Sequence, residues 1–295
     1  MKILITDNME REVVEKIKNL GEVVYLPQNL DVALADAEIL IVRSQTKVTR
    51  ELLSKAKKLK LVARGGVGLD NVDQKACEER GIKVLNTPGA STDSVAELAV
   101  TLVSVLLRKI VQAHNQMKNK IWDRKKLVGK EMKGKTLGII GFGRIGSAVG
   151  ERANMLGMKV LACNATPVSS DFAKEVDLDT LLRESDVVTL HVWLNEETRK
   201  MINEEKLALM KNGAYLINTA RGEVIDEDAL YDALKSGKLG GAALDVLSKE
   251  PYDGKLLELD NVIFTSHIGA NTTDAQNRIG EELVARLKEF CASDA

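Results

Sequence analysis

Short runs of β-branched and aliphatic residues alternate with helix-patterned segments along this entire chain, and that alternation restricts it to a parallel α/β architecture. Strand candidates fall near Ile3–Thr6, Val23–Leu26, Ile39–Val42, Leu61–Ala63 and Lys83–Asn86. A second set falls near Leu137–Ile140, Lys159–Ala162, Val187–Leu190, Tyr215–Asn218, Ala242–Val246 and Val262–Thr265. Five strands followed by six point to two doubly wound parallel sheets, the second with the strand count of a Rossmann dinucleotide-binding domain. A length of 295 residues, about twice a typical domain, agrees with that division.

Between the two sets a helical stretch runs from Ser94 to about Lys118. A basic segment, 118–135, follows it with eight Lys or Arg, two acids and Trp122. One aromatic residue makes no stacking platform, and 42 basic against 43 acidic residues leave a net charge of −1. The segment therefore reads as a solvated, partly oligomeric arm, and neither nucleic acid nor membrane is expected as a partner. The chain closes on a helix, roughly Asp274 to Phe290, with Ile279, Leu283, Leu287 and Phe290 at helical spacing. The most apolar run, Leu98 to Leu107, is too short to span a bilayer. The start, MKILITDN, has no signal-peptide pattern. Cys77, Cys163 and Cys291 are dispersed and form no CxxC pair, which argues against a disulfide framework or a structural zinc site. A cytoplasmic location is expected.

The strongest motif is GFGRIG, Gly141 to Gly146. It follows the strand-like TLGII, opens a helix with Ile145, Ala148, Val149, Ala153 and Leu156 on its apolar face, and is followed by the strand KVLA. Gly141 permits the tight turn, Gly143 lets the backbone approach a pyrophosphate, and Gly146 lets helix and strand pack closely. The helix N-terminus then offers free N–H groups and partial positive charge to that pyrophosphate. Asn164, eighteen residues on, stands where an acid would meet the adenosine ribose. No Arg or Lys follows in ATPVSS to neutralise a 2′-phosphate. The cofactor reading is NAD, with NADP left open.

Three further strands end in reactive side chains: AYLIN leads to Arg221, GAALDV to Asp245 and Glu250, and NVIFT to His267. Ligands of open α/β sheets bind beyond the carboxyl ends of strands, so these residues converge there. Hydride transfer at an alcohol carbon needs a proton acceptor and donor, which suits His267 with Glu250 to orient it. Arg221 is suited to hold a carboxylate or carbonyl oxygen in bidentate fashion. No GxSxG elbow supports a hydrolase, and His114, His191 and His267 are too scattered for a metal site. His191, in TLHVW, reads as structural or as part of a cofactor loop, and His114 as structural.

The segments ARGGVGLDNVD, NTPGASTDSVAELA, GKTLGIIGFGRIG, NTARGEVID, GAALDV…KEP and SHIGANT, in this order, resemble the D-isomer-specific 2-hydroxyacid dehydrogenases over almost the whole chain. The resemblance implies a flavodoxin-like, discontinuous substrate domain, 1–97 plus 272–295, a nucleotide domain, 98–271, and a cleft between them. It makes Arg221, Glu250 and His267 catalytic and extends the cofactor wall over Arg144, Ile145, His191, Val192, Thr219, Ala220, Asp245, Gly269 and Ala270. It places the substrate carboxylate at the Val67 and Gly68 amides, adds Ser91 from NTPGAST, and implies homodimerisation through the nucleotide domain. VRSQT and NTPGASTDSVAELA resemble the phosphoglycerate dehydrogenases within the family, which gives Arg43, Ser44 and Thr46 a distal phosphate to meet. Glyoxylate or hydroxypyruvate reduction is the alternative, and an NAD(H)-sensing, co-repressor-like binding protein is the alternative from another class. Asn164, Ser266 before His267, and Trp193 in HVWLN depart from the family pattern. The longer phosphoglycerate dehydrogenases continue into regulatory domains where this sequence stops, so no serine feedback through such a domain is expected.

Overall fold

A computed structural model of the chain describes residues 1–293. It separates into two compact units: Met1–Ser91 with the chain from Asn271, and Thr92–Ala270. Asp294 and Ala295, counted in the expected substrate domain, lie outside the described residues. The first crossing falls after Ser91 rather than after Glu97, because the helix Thr92–Leu107 buries Ala96, Ala99, Leu102, Val103 and Leu106 in the core of the second unit.

In the first unit β1 (Lys2–Ile5), β2 (Glu22–Tyr25), β3 (Ile39–Val42), β4 (Leu61–Arg64) and β5 (Lys83–Asn86) form one parallel sheet in the order β2-β1-β3-β4-β5. The central strands are apolar on both faces, as a doubly covered sheet requires. Ile3, Ile5, Ile39, Ile41, Leu61 and Ala63 face the helices Arg11–Lys18 and Thr273–Ser293, through Val13, Val14, Ile17, Leu283, Val284 and Leu287. Leu4, Leu40, Val42 and Val62 pack on the opposite face against Leu34, Leu53, Ala76 and Cys77. The last helix thus completes a sheet whose strands lie some two hundred residues earlier in the chain.

In the second unit β6 (Thr136–Ile140), β7 (Lys159–Cys163), β8 (Ala173–Glu175), β9 (Val187–Leu190), β10 (Ala214–Asn218), β11 (Leu239–Leu244) and β12 (Val262–Phe264) are all parallel, in the order β12-β11-β10-β9-β6-β7-β8. The seventh strand, β8, is absent from the sequence expectation because its three residues, AKE, form a short polar edge without an apolar run. The expected helix from Ser94 to Lys118 divides into Thr92–Leu107 and Ile110–Lys118, with Lys109 left-handed at φ 53°. The amide of Lys130 takes the Leu107 carbonyl at 2.8 Å, so the returning chain uses an acceptor that a continuous helix would need.

The helix Ile110–Lys118 buries no residue, and Trp122 is 76% exposed in the basic arm that follows. Among the described residues no helix is long and apolar enough to cross a membrane. Leu283→Ala empties a fully buried site beneath the first sheet and should cost about 2–5 kcal/mol, read from urea unfolding. A loss below about 0.5 kcal/mol would show that the terminal helix adds nothing to that core.

Candidate active site

Strand register brings the site residues of the second unit to one level. Cys163, Ile140, Leu190, Asn218, Leu244 and Phe264 are successive partners across the sheet. The next residues along those strands are Asn164, Gly141, His191, Thr219, Asp245 and Thr265, six side-chain positions along one carboxyl edge. The strand order reverses between β9 and β6, and doubly wound sheets bind nucleotides at such a switch point.

Gly141 takes φ 93°, and a Cβ there would lie 2.6 Å from the His191 carbonyl carbon. A Cβ on Gly146 would meet the Gly141 carbonyl oxygen, so the turn closes only with glycine at both positions. Nothing lies within 4 Å of a Cβ built on Gly143, which has no side-chain cap to offer the helix Arg144–Met155. That helix leaves its first amides, at Arg144 and Ile145, open toward an anion. These features fit the pyrophosphate of a dinucleotide. Asn164 accepts from the Phe142 amide at 3.0 Å and donates to Thr166 at its carbonyl (3.1 Å) and hydroxyl (2.8 Å). Both of its N–H groups are therefore spent, and it offers a ribose only an acceptor.

His191 lies between the hydroxyls of Thr189, 3.0 Å from Nε2, and Thr219, 3.4 Å from Nδ1. Burial pushes its imidazole down from the ordinary 6.5 to about 3. Asn218, fully buried, accepts from the Ala220 amide (2.9 Å) and donates to the Arg221 carbonyl (2.8 Å), which shapes the Thr219–Arg221 turn. A Cβ on Gly222 would overlap the backbone of Leu247 and Ser248, so this turn packs directly on the segment leading to Glu250.

His267 Nδ1 lies 2.9 Å from Glu250 Oε2, and both side chains are solvent-accessible. His267 itself is left-handed, at φ 56°, a conformation costing a non-glycine residue about 1–2 kcal/mol. Asp245 holds that turn. Its carbonyl accepts from the His267 amide (2.9 Å), while its buried carboxylate accepts from Thr265 Oγ1 (2.6 Å), Ile268 N (2.8 Å) and Gly269 N (2.9 Å). The Asp245 carboxylate, expected in the cofactor wall, thus also holds the turn bearing His267. Gly269 is held again through its carbonyl, by Ser94 Oγ at 2.6 Å.

In the first unit the Thr87 amide holds the Gly66 carbonyl (3.0 Å), and Asn86 Nδ2 holds the Val67 carbonyl (2.6 Å). In a trans peptide the N–H points opposite to its C=O, so the Val67 and Gly68 amides are both turned away from β5. Neither donates to a protein acceptor among the described residues. Ser91 is buried, Ser44 is exposed and Arg43 is part-buried. The hydroxyl of Thr46, expected to meet a distal phosphate, donates to Asp7 Oδ1 and lies 2.9 Å from Thr6 Oγ1.

Residues 100–269 match the NAD-binding domain of the D-isomer-specific 2-hydroxyacid dehydrogenases. The hydroxypyruvate reductase of Thermotoga maritima is 46% identical over 97% of both chains. The D-3-phosphoglycerate dehydrogenase of Methanocaldococcus jannaschii is 44% identical over 98% of this chain, which spans 57% of that protein's length. The crystal structure of D-lactate dehydrogenase from Aquifex aeolicus complexed with NAD and lactic acid superposes with a TM-score of 0.90, at 36% identity over 100% of this chain and 96% of that one. The chain belongs to the D-isomer-specific 2-hydroxyacid dehydrogenase family.

For this dehydrogenase the cofactor is NAD, and residues 100–269 form its NAD-binding domain. Sequence reasoning missed the polar residues that shape the loops: Asp7, Asn71, Asn86, Asn218 and Thr265. A signal was present for Asn218, a polar residue that ends the buried strand run AYLIN.

The low value of His191 has a consequence for stability. The unfolded chain binds a proton there below pH 6.5, whereas the folded chain resists it until about 3, so this stabilisation is complete above 6.5 and is lost as pH falls toward 3. His191→Gln should therefore lose less stability than wild type between pH 7 and pH 5, measured as the shift in urea midpoint. Equal losses would remove His191 from the acid response.

Proposed function

We propose that this chain interconverts 3-phosphoglycerate and 3-phosphohydroxypyruvate with NAD(H), the first step of serine biosynthesis, in the cytoplasm. The observation carrying the reaction class is the His267–Glu250 pair, 2.9 Å apart, on a turn held by Asp245. The phosphorylated substrate is supported by Arg43. Its guanidinium donates to the Asn8 carbonyl (3.3 Å) and pairs with no carboxylate among the described residues.

Bound NAD(H) supplies the hydride acceptor in one direction and the donor in the other. His267 takes the hydroxyl proton as the alcohol is oxidised and returns it on reduction. With Nδ1 against Glu250, Nε2 is the nitrogen left for substrate. Arg221 holds and polarises the carboxylate or carbonyl oxygen, and the Val67 and Gly68 amides hold the carboxylate. Thr219, Ala220 and His191 form the wall beside the nicotinamide half. Hydroxypyruvate reduction is the second reading, favoured by the 46% identity to the Thermotoga enzyme over nearly its full length.

Steady-state kinetics with 3-phosphohydroxypyruvate, hydroxypyruvate and glyoxylate under NADH test the substrate reading, and the phosphorylated acid should give the largest kcat/KM. A larger value for hydroxypyruvate would replace the name, and no turnover on any of them would favour an NAD(H)-sensing protein. His267→Ala should lower kcat by about 10²–10⁴ with NADH affinity retained. An unchanged kcat would remove His267 from the chemistry.

The same proposal includes a homodimer through the nucleotide domain. Ile110, Met117, Ile121, Trp122 and Val128 leave large apolar surfaces exposed along one arm of that domain. Trp122→Asp should shift the sedimentation coefficient from dimer to monomer at micromolar protein. A dimer that survives the change would place the interface elsewhere.

A further inference from the structure

Asp7 and Asn71 have no part in the reaction described above, yet both are aimed at one loop. The first sheet reverses its order between β1 and β3, the position where doubly wound sheets bind ligands. Ile5 pairs with Ile41 across that switch, so the register carried two residues further sets Asp7 beside Arg43. Asp7 is 2% exposed. Its carboxylate accepts from the amides of Arg43 (2.6 Å), Gln45 (3.1 Å) and Thr46 (3.1 Å) and from the Thr46 hydroxyl. From the other side Asn71 Nδ2 donates to the carbonyls of Arg43 (2.8 Å) and Thr46 (2.7 Å), and Arg64 Nε reaches the Arg43 carbonyl at 3.3 Å.

Arg43 is thus held at its amide, at its carbonyl and, through the Asn8 carbonyl, at its guanidinium. A loop of consecutive amides is an ordinary way to bind an anion. Here three of those amides and the Thr46 hydroxyl already close on a carboxylate belonging to the protein. In VRSQT that leaves the guanidinium of Arg43, the amide and hydroxyl of Ser44 and the side chain of Gln45 for an outside anion.

We infer that Asp7 and Asn71 are positioning residues that clamp the Arg43–Thr46 loop and fix the Arg43 guanidinium for the distal anionic group of the substrate, while Thr46 serves the clamp and is no ligand. The inference deepens the proposed function and rests on its reading that this loop meets the substrate. The clamp gains a prepaid orientation: a long, flexible side chain otherwise loses its freedom only when substrate arrives. Asp7→Asn replaces an all-acceptor group with one whose NH2 faces other N–H donors, so the loop loses its centre.

The test compares wild type with Asp7→Asn, Asn71→Leu, Thr46→Val and Arg43→Ala, measuring KM and kcat for 3-phosphohydroxypyruvate and for hydroxypyruvate with NADH. Asp7→Asn and Asn71→Leu should each raise KM for the phosphorylated acid about tenfold or more. KM for hydroxypyruvate and both kcat values should stay within about threefold, a split that a general loss of folded protein does not produce. Thr46→Val should change the ratio of the two KM values less than threefold. If Asp7→Asn does not fold, Asn71→Leu decides by the same ratio. Equal shifts in both KM values, no shift, or a larger effect from Thr46→Val than from the clamp variants would overturn the inference. If Arg43→Ala leaves the ratio unchanged, the reading of the loop as substrate-facing falls. If Arg43→Ala changes the ratio and the clamp variants do not, only the clamp falls.

Discussion

A parallel sheet leaves unpaired backbone amides and carbonyls where its strands end, and buried polar groups there must find partners. In this dehydrogenase a small set of buried or half-buried Asp and Asn side chains supplies them. Asp245 gathers the turn bearing His267, Asn218 the turn bearing Arg221, Asn86 the loop at Val67, and Asp7 the loop at Arg43. Each side chain bonds backbone groups of a loop that carries a candidate site residue, so the chemistry of the site depends on carboxylates and amides that need not touch substrate themselves. The charge-assisted bonds to Asp7 and Asp245 are the stronger kind, and they hold conformations that local sequence does not favour, His267 at φ 56° among them.

Each sheet uses this device within two residues of its own strand ends. Register alone sets Gly141, Asn164, His191, Thr219, Asp245 and Thr265 side by side in one, and Asp7 beside Arg43 in the other. Within each sheet the strands are parallel, so their carboxyl ends lie along one edge, and one-residue accuracy in pairing is enough to assemble a row of side chains in the second sheet from segments spread over more than a hundred residues.

Much of this was legible in the chain. The strands of the first set lie within a residue of their expected places, and the βαβ unit around GFGRIG is present with Gly141 and Gly146 packed as a tight turn requires. What was not legible had tertiary causes. β8 is a three-residue edge that exists only because β7 offers it a partner. The helix break at Lys109 depends on Lys130 returning to take the Leu107 carbonyl. Thr46 looks like a free hydroxyl in VRSQT, but its hydrogen goes to a carboxylate 39 residues earlier.

The sequence by itself determined the architecture, the family, the nucleotide turn and the candidates for the reactive side chains, because periodicity, glycine spacing and motif order are local properties. Tertiary structure decided which of those side chains are available. Asn164 directs its side-chain N–H groups to Thr166, Asp245 holds the turn bearing His267, Thr46 donates to Asp7, and Arg43 keeps a guanidinium without a carboxylate partner among the described residues. The physical reason is that a donor hydrogen can be spent only once, and its partner is chosen by register and packing across distances that no local pattern records.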